Sequence, residues 1–290
     1  MALQDKITQA WVKITGKKIN PNDFPWLIGP VGNTDKIKDS FIYDLARKEE
    51  LEIHKNLPNS GLLSRMDEIG ITERDSILIN KKVADFYENT SSYDFEVWSE
   101  WKGIFKPFGK LLSILFSKRL QQLNLPLNSI DTAKGVKSDI IELKSKSTNK
   151  TKWTIWYRVT KSNNDVIYSG VYTTCNHPNY QHPLLKVVFP LPNGNASVIM
   201  TKKIERDGSL LLSSNGKKFG ENGFYFTLTN KKATPAGGQG EYWARFVKSM
   251  HEWIRVYEDD ENVLRADHNL NFYGFRFLNL HYKMTKKTEY

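Results

Sequence analysis

Six histidines, at positions 54, 177, 182, 251, 268 and 281, and one cysteine, Cys175, are the side chains of this 290-residue chain best suited to acid–base, nucleophilic or metal chemistry. Their spacing does not assemble them. His177 and His182 straddle Pro178 near Cys175, and zinc there would need further ligands supplied by the fold. Cys175 and His177 lie two residues apart, which at a strand end puts both on one face, yet no third group is placed to orient them as a nucleophile and base. The segment Arg265-Ala266-Asp267-His268 sets a carboxylate beside an imidazole, an arrangement that fixes a tautomer and raises basicity. Adjacent strand residues face opposite ways, so Asp267 is expected to pair with Arg265 rather than with His268. Neither a Gly-x-Ser-x-Gly elbow nor a His-Glu-x-x-His pair occurs. No catalytic residue, metal ligand or cofactor is assigned on this basis. Catalysis stays an alternative that an inward-facing His268 or His281 beside a carboxylate would favour.

A second set of residues suits recognition. Arg158, Arg255, Arg265 and His268 fall on strand-like segments among aromatic residues. Turned toward an interior, they would bind a carboxylate, phosphate or hydroxyl at the polar end of an apolar ligand, because an arginine fork grips an oxyanion with two hydrogen bonds. Tyr168 and Tyr172 share strand parity and would line the same wall together with Tyr225. Turned outward, the same arginines would lay their stems on surface aromatics.

The elements that must position these residues change character along the chain. Residues 1–80 read as short helices and turns: Ile7, Trp11 and Ile14 give a helical stripe within Gln4–Ile14, and Ile37, Phe41, Leu45 and Leu51 predict an amphipathic helix over Thr34–Glu52 capped by Thr34-Asp35. Another helix is expected from Ser60 or Ser64, and Thr72 with Asp75 three residues on is a further start signal. Pro30-Val31-Gly32-Asn33-Thr34 lacks a nucleotide fingerprint and reads as an ordinary turn. Val83, Phe86 and Tyr87 mark a short helix, Tyr93–Trp101 alternates as a half-buried strand does, and Pro107 opens a Leu/Ile-rich helix, or a pair of short ones, over Phe108–Leu123.

From Ser129 onward strands dominate, ten of them between Val136 and Met284, including a long one over Ala244–Tyr257. Asn-Gly and Asp-Gly turns at Pro192–Asn195, Arg206–Gly208, Ser214–Gly216 and Glu221–Gly223 predict an antiparallel meander. Pro235–Gly240 reads as a flexible loop. Several strands carry large side chains on both faces: Trp153, Ile155, Tyr157 and Val159 on one, Trp156 and Arg158 on the other. A strongly curved sheet or a barrel with helices packed on it explains that pattern. The fold class expected is thus α+β, with a helical region over 1–80 and a β-rich ligand-binding domain over 81–290.

Charge divides at the same place. Residues 1–80 carry 11 basic and 12 acidic side chains, so the net +10 belongs to the remainder. Lys144, Lys146, Lys150 and Lys152 flank one hairpin tip, while Lys202-Lys203, Lys217-Lys218 and Lys231-Lys232 sit at strand ends. Gathered on one side, they would form a positive rim for anionic lipid headgroups or phosphates. Nucleic acid is not the expected partner, since no RNP motif, zinc finger or recognition helix accompanies them. No apolar run reaches the length of a membrane-crossing helix, the first residues lack a secretion core, and one cysteine suits a reducing compartment, so a cytoplasmic protein is expected.

A helix, one strand, a helical insertion and then a long antiparallel meander resembles the element order of START-like and Bet v 1-like helix-grip domains over about 200 residues. That resemblance implies a sheet wrapped around an apolar cavity. A closed, lipocalin-like barrel satisfies the same order. The function expected is non-catalytic binding of a lipid-like or other hydrophobic small molecule, with Arg158, Tyr168, Tyr172, Tyr225, Arg255, Arg265 and His268 as ligand-binding residues. The alternatives are an enzyme acting on such a ligand and an interaction protein with a filled core.

Overall fold

The computed structural model describes residues 2–34, 36–103, 105–112, 120–122, 127, 134–162, 164–230 and 240–287. In chain order its helices are α1 (Leu3–Thr15), α2 (Ser40–Lys48), α3 (Glu73–Leu78), α4 (Lys81–Glu88) and α5 (Phe105–Leu112). Its strands are β1 (Lys17–Ile19), β2 (Leu51–Lys55), β3 (Tyr93–Trp101), β4 (Val136–Ser145), β5 (Thr151–Thr160), β6 (Val166–Cys175) and β7 (Leu184–Leu191). They continue as β8 (Gly194–Ile204), β9 (Leu210–Ser214), β10 (Gly223–Asn230), β11 (Glu241–Phe246), β12 (Met250–Glu258), β13 (Leu264–Phe272) and β14 (Phe275–Lys286).

The curved sheet closes. Running β8-β7-β6-β5-β4-β3-β14-β13-β12-β9 and back to β8, ten antiparallel strands form a barrel, closed by Thr201–Ile204 of β8 against Leu210–Ser213 of β9. Strands β10, β11 and β1 continue outward from β8, and β2 pairs with β4. The meander is therefore interrupted: β10 and β11 leave the ring, and β9 pairs directly with β12. The single strand expected over Ala244–Tyr257 is two, because the chain turns through 247–249 and Met250 N–H donates to Val247 O. The narrowest seam joins β3 to β4 through one register pair, Phe95 with Val136.

Closure explains the two-faced strands. Inside the ring, Phe95, Val97, Trp156, Val187, Val198, Leu212, Val256, Leu278 and Leu280 form the main core. Outside it, α2 lays Phe41, Ile42 and Leu45 on Ile141, Leu143, Ile155, Val171 and Val188. A neighbouring outer patch packs Trp26 and Leu27 against Leu184, Ile199 and Tyr225. Strands β4 to β8 are thus covered on both faces in part, whereas β3 alternates buried with exposed and needs only one apolar face.

The first 80 residues belong to this assembly: β1 and β2 extend its sheet, and Leu62, Leu63, Met66, Ile69, Ile71 and Ile79 join the core inside the ring. The helix expected over Thr34–Glu52 contracts to α2, because Glu50 takes a positive φ of 54° that ends the helix and Leu51 enters β2. Thr72 caps α3 as expected, accepting from Asp75 N–H while its own N–H donates to Asp75. Of the helix expected over Phe108–Leu123, α5 supplies the start, with Pro107 in its first turn; residues 113–119 and 123 lie outside the described residues, as do 35, 231–232 and 235–239.

Helix α4 closes one end of the barrel. Its Val83, Phe86 and Tyr87 point into the core, and Phe86 meets the rings of Tyr93, Phe95 and Trp156 edge-on. Polar clamps hold it there. Asp85 accepts from Tyr93 Oη at 2.5 Å and pairs with Lys286 at 3.0 Å, while Glu258 at the end of β12 accepts from Asn80 at 2.7 Å and from Lys82 at 2.5 Å.

Candidate functional site in the barrel interior

Beneath that cap lies a cavity of about 130 Å³ walled by the inward faces of β5 to β9 and β12 to β14. Its walls are aliphatic and aromatic, with Arg158, Tyr87, Tyr168, Tyr172, Tyr282, Glu252 and His268 as the polar exceptions. Strand parity puts them there: Arg158 shares a face with Trp156, Glu252 with Ile254 and Val256, and His268 with Ala266 and Leu270.

Arg158 is 2% exposed. Its guanidinium carbon lies 3.7 Å from the ring centre of Trp156 and 3.5 Å from that of Tyr168, with Tyr282 farther off at 5.9 Å. Nε and Nη2 have no hydrogen-bond partner, whereas the Tyr282 side chain does bond the guanidinium. Burial pulls the arginine pKa down from its ordinary value, and Tyr282 and Tyr172 oppose that shift. A cation removed from water costs several kcal/mol unless it is paired, and ring stacking offsets about 2 kcal/mol of that. The edge formed by Nε and Nη2 is the side of a guanidinium that receives a carboxylate as a two-point fork.

Around it, Tyr168 Oη and Tyr282 Oη approach to 3.3 Å, and burial pushes the pKa of Tyr172 well above the ordinary phenol value. Glu252 Oε2 and His268 Nε2 form a 2.7 Å contact, and Ser214 Oγ accepts from the Glu252 backbone N–H. The interior thus holds a stacked cation, a phenol cluster and a carboxylate–imidazole pair. An apolar body with an oxyanion suits the first, and proton exchange suits the last.

Of the seven residues expected to bind ligand, Arg158, Tyr168, Tyr172 and His268 line this cavity. The other three do not, which corrects the expected set. Tyr225 packs in the outer patch against Trp26 and Phe246, its Oη donating to Glu221 O. Arg255 faces outward, stacks on Tyr257 and pairs with Asp207. Arg265 pairs with Asp259 at 2.7 Å rather than with Asp267, which instead meets His281 at 2.6 Å on the outer wall. Arg255 and Arg265 sit an odd number of residues from the inward Glu252 and His268, so parity alone assigns them to the outside. Sequence reasoning missed Glu252 and Tyr282; reading 244–257 as one strand hid the register that turns Glu252 inward. Among the described residues no group of three or more His, Cys, Asp or Glu could hold a metal ion.

A cavity of about 150 Å³ holds one benzene, a size close to that of this interior, about 130 Å³. The outer wall also carries information. Asp94, Glu96 and Glu100 on β3 point outward and are exposed, and Arg265, Asp267, His281 and Lys283 face out from β13 and β14. These strands are charged outside and apolar inside, the reverse of a membrane-spanning barrel wall. No helix among the described residues is long and apolar enough to cross a membrane.

No family model and no solved structure matches the chain. It is 24% identical over 239 residues to the uncharacterized membrane protein YndJ of Bacillus subtilis (strain 168), a match that takes in 81% of this chain and 40% of that protein's length. The cytoplasmic placement expected from the sequence is corrected by this finding: the relative is named a membrane protein, and neither the lack of a crossing helix nor a single cysteine fixes a compartment.

Proposed function

We propose that the barrel interior binds a small carboxylate with an apolar body of about one ring, held by Arg158 and without chemical change. The observation that carries this reading is the buried guanidinium of Arg158, stacked between Trp156 and Tyr168 with Nε and Nη2 unpaired in a cavity walled mainly by aliphatic and aromatic side chains. The walls supply hydrophobic contact, the two rings cover the faces of the cation, and its edge selects an in-plane oxyanion. Calorimetry with benzoate, toluene and benzylamine tests it on the full chain. Benzoate is expected to bind tightest and benzylamine weakest, and Arg158→Met is expected to cost benzoate about 2 kcal/mol, roughly thirtyfold. Equal affinity for benzoate and toluene in the wild type would remove Arg158 from the account, and binding of neither would remove the cavity as well.

A second reading, catalysis on the bound molecule, is favoured by the inward Glu252–His268 pair at 2.7 Å. A carboxylate that orients an imidazole is the general-base half of a hydrolytic site. Its test is hydrolysis of a small aromatic ester by the wild type and by His268→Gln. Equal rates in the two would exclude it.

A further inference from the structure

We infer that the β13–β14 turn, Phe272-Tyr273-Gly274-Phe275, is a docking surface for an anionic lipid bilayer. The inference is independent of what the cavity binds. Tyr273 is 73% exposed and Phe275 69% exposed, with Phe272 beside them and in edge contact with Tyr273 at 4.8 Å. Three large rings thus stand at one two-residue turn facing solvent.

The backbone makes the placement informative. Tyr273 has φ +50° and Gly274 φ +81°, the positive pair that a tight hairpin of this twist requires. Asn or Gly takes the first position readily, whereas a bulky aromatic residue takes it against a steric penalty. At this exposure the ring recovers little of that penalty within the fold. Strain kept where no packing repays it points to a use for the side chain.

The surrounding charge selects the partner. Arg276 follows the turn on β14, and Lys248 sits in the β11–β12 turn, whose Ser249 O accepts from Tyr273 N–H. Both cations are exposed, and neither has an acidic partner among the described residues. Lys102, after β3, is bonded to Glu100, which also accepts from Asn279. Aromatic rings at a projecting tip with cations set behind them match the headgroup layer: the rings enter the interface while Lys and Arg meet anionic phosphates. A charged barrel wall is compatible with contact at one end.

Flotation of the full chain with vesicles of equal parts phosphatidylcholine and phosphatidylglycerol, and with phosphatidylcholine alone, tests the inference. The wild type is expected to float with the mixed vesicles, less so at high salt. The double variant Tyr273→Asn/Phe275→Ser, which alters only exposed side chains, is expected to lose about tenfold or more in affinity. Lys248→Gln/Arg276→Gln should lower binding to the mixed vesicles while leaving binding to phosphatidylcholine unchanged. A wild type that fails to float, or a tip variant that floats equally well, overturns the inference. Binding of a labelled single-stranded oligonucleotide that the same tip substitutions abolish would assign the surface to nucleic acid and overturn it too.

Discussion

At one end of β13 the chain turns through Glu258, Asp259, Asp260, Glu261 and Asn262; at the other it turns through Phe272, Tyr273, Gly274 and Phe275. The acidic turn is occupied with its own fold. Asp259 accepts from the backbone N–H groups of Glu261 and Val263 and pairs with Arg265, and Glu258 holds Asn80 and Lys82 at the start of α4. The aromatic turn spends almost none of its side chains on the fold. Two hairpin turns on one strand thus serve different ends, the first closing the barrel over its cavity and the second presenting rings and cations outward. The difference lies in whether neighbouring elements satisfy the groups that the turn exposes.

Substitutions that load the two ends unequally sharpen the contrast. The largest effect is expected at the cap: Phe86→Ala removes a ring that touches Tyr93, Phe95 and Trp156 and should cost about 3–5 kcal/mol in denaturant unfolding. A cost below about 1 kcal/mol would mean that the cap is not part of the cooperative core. Next is Asp85→Asn, which weakens the polar clamp to Tyr93 and Lys286 and should cost about 1 kcal/mol at neutral pH. Burial raises the Asp85 pKa, but the hydrogen bonds from Tyr93, Lys286 and Asn89 outweigh it, and the net shift is downward. A carboxylate with a depressed folded pKa stabilises above its unfolded value, and that contribution fades as pH falls through the folded pKa. Wild type and variant should therefore converge in acid, and a gap that persists there would contradict the clamp. The smallest effect is of opposite sign: Tyr273→Asn should stabilise the fold by about 0.5–1 kcal/mol by relieving the positive φ. A destabilised variant would show that the ring supports the fold after all.

Much of this architecture was legible because strand parity and turn chemistry are local. Tyr93–Trp101 was readable to the residue, and Asn193-Gly194 and Asp207-Gly208 located the β7–β8 and β8–β9 hairpins, Gly208 taking φ +79°. Asn215-Gly216 and Asn222-Gly223 instead bracket the β9–β10 connection, whose strands do not pair. Four cavity residues were legible for the same reason. What was not legible depends on which strands meet. Closure of β8 on β9, and the departure of β10 and β11 from the ring, decide whether an aromatic strand face is interior or outer. Tyr225 alternates like a barrel residue and packs outside because β10 lies off the ring. Glu252 was hidden by the unmarked turn over 247–249, which lacks Gly, Pro and Asn. Compartment was beyond reach altogether, since composition constrains it only weakly.

The central claim is that Arg158 anchors an anion inside the barrel. A crystal structure of the full chain with benzoate tests it most directly. The account predicts the ring in the cavity beneath α4 and both carboxylate oxygens within hydrogen-bond distance of Nε and Nη2 of Arg158, still stacked between Trp156 and Tyr168. Benzoate seated elsewhere, or in the cavity with its carboxylate turned away from Arg158, would contradict it.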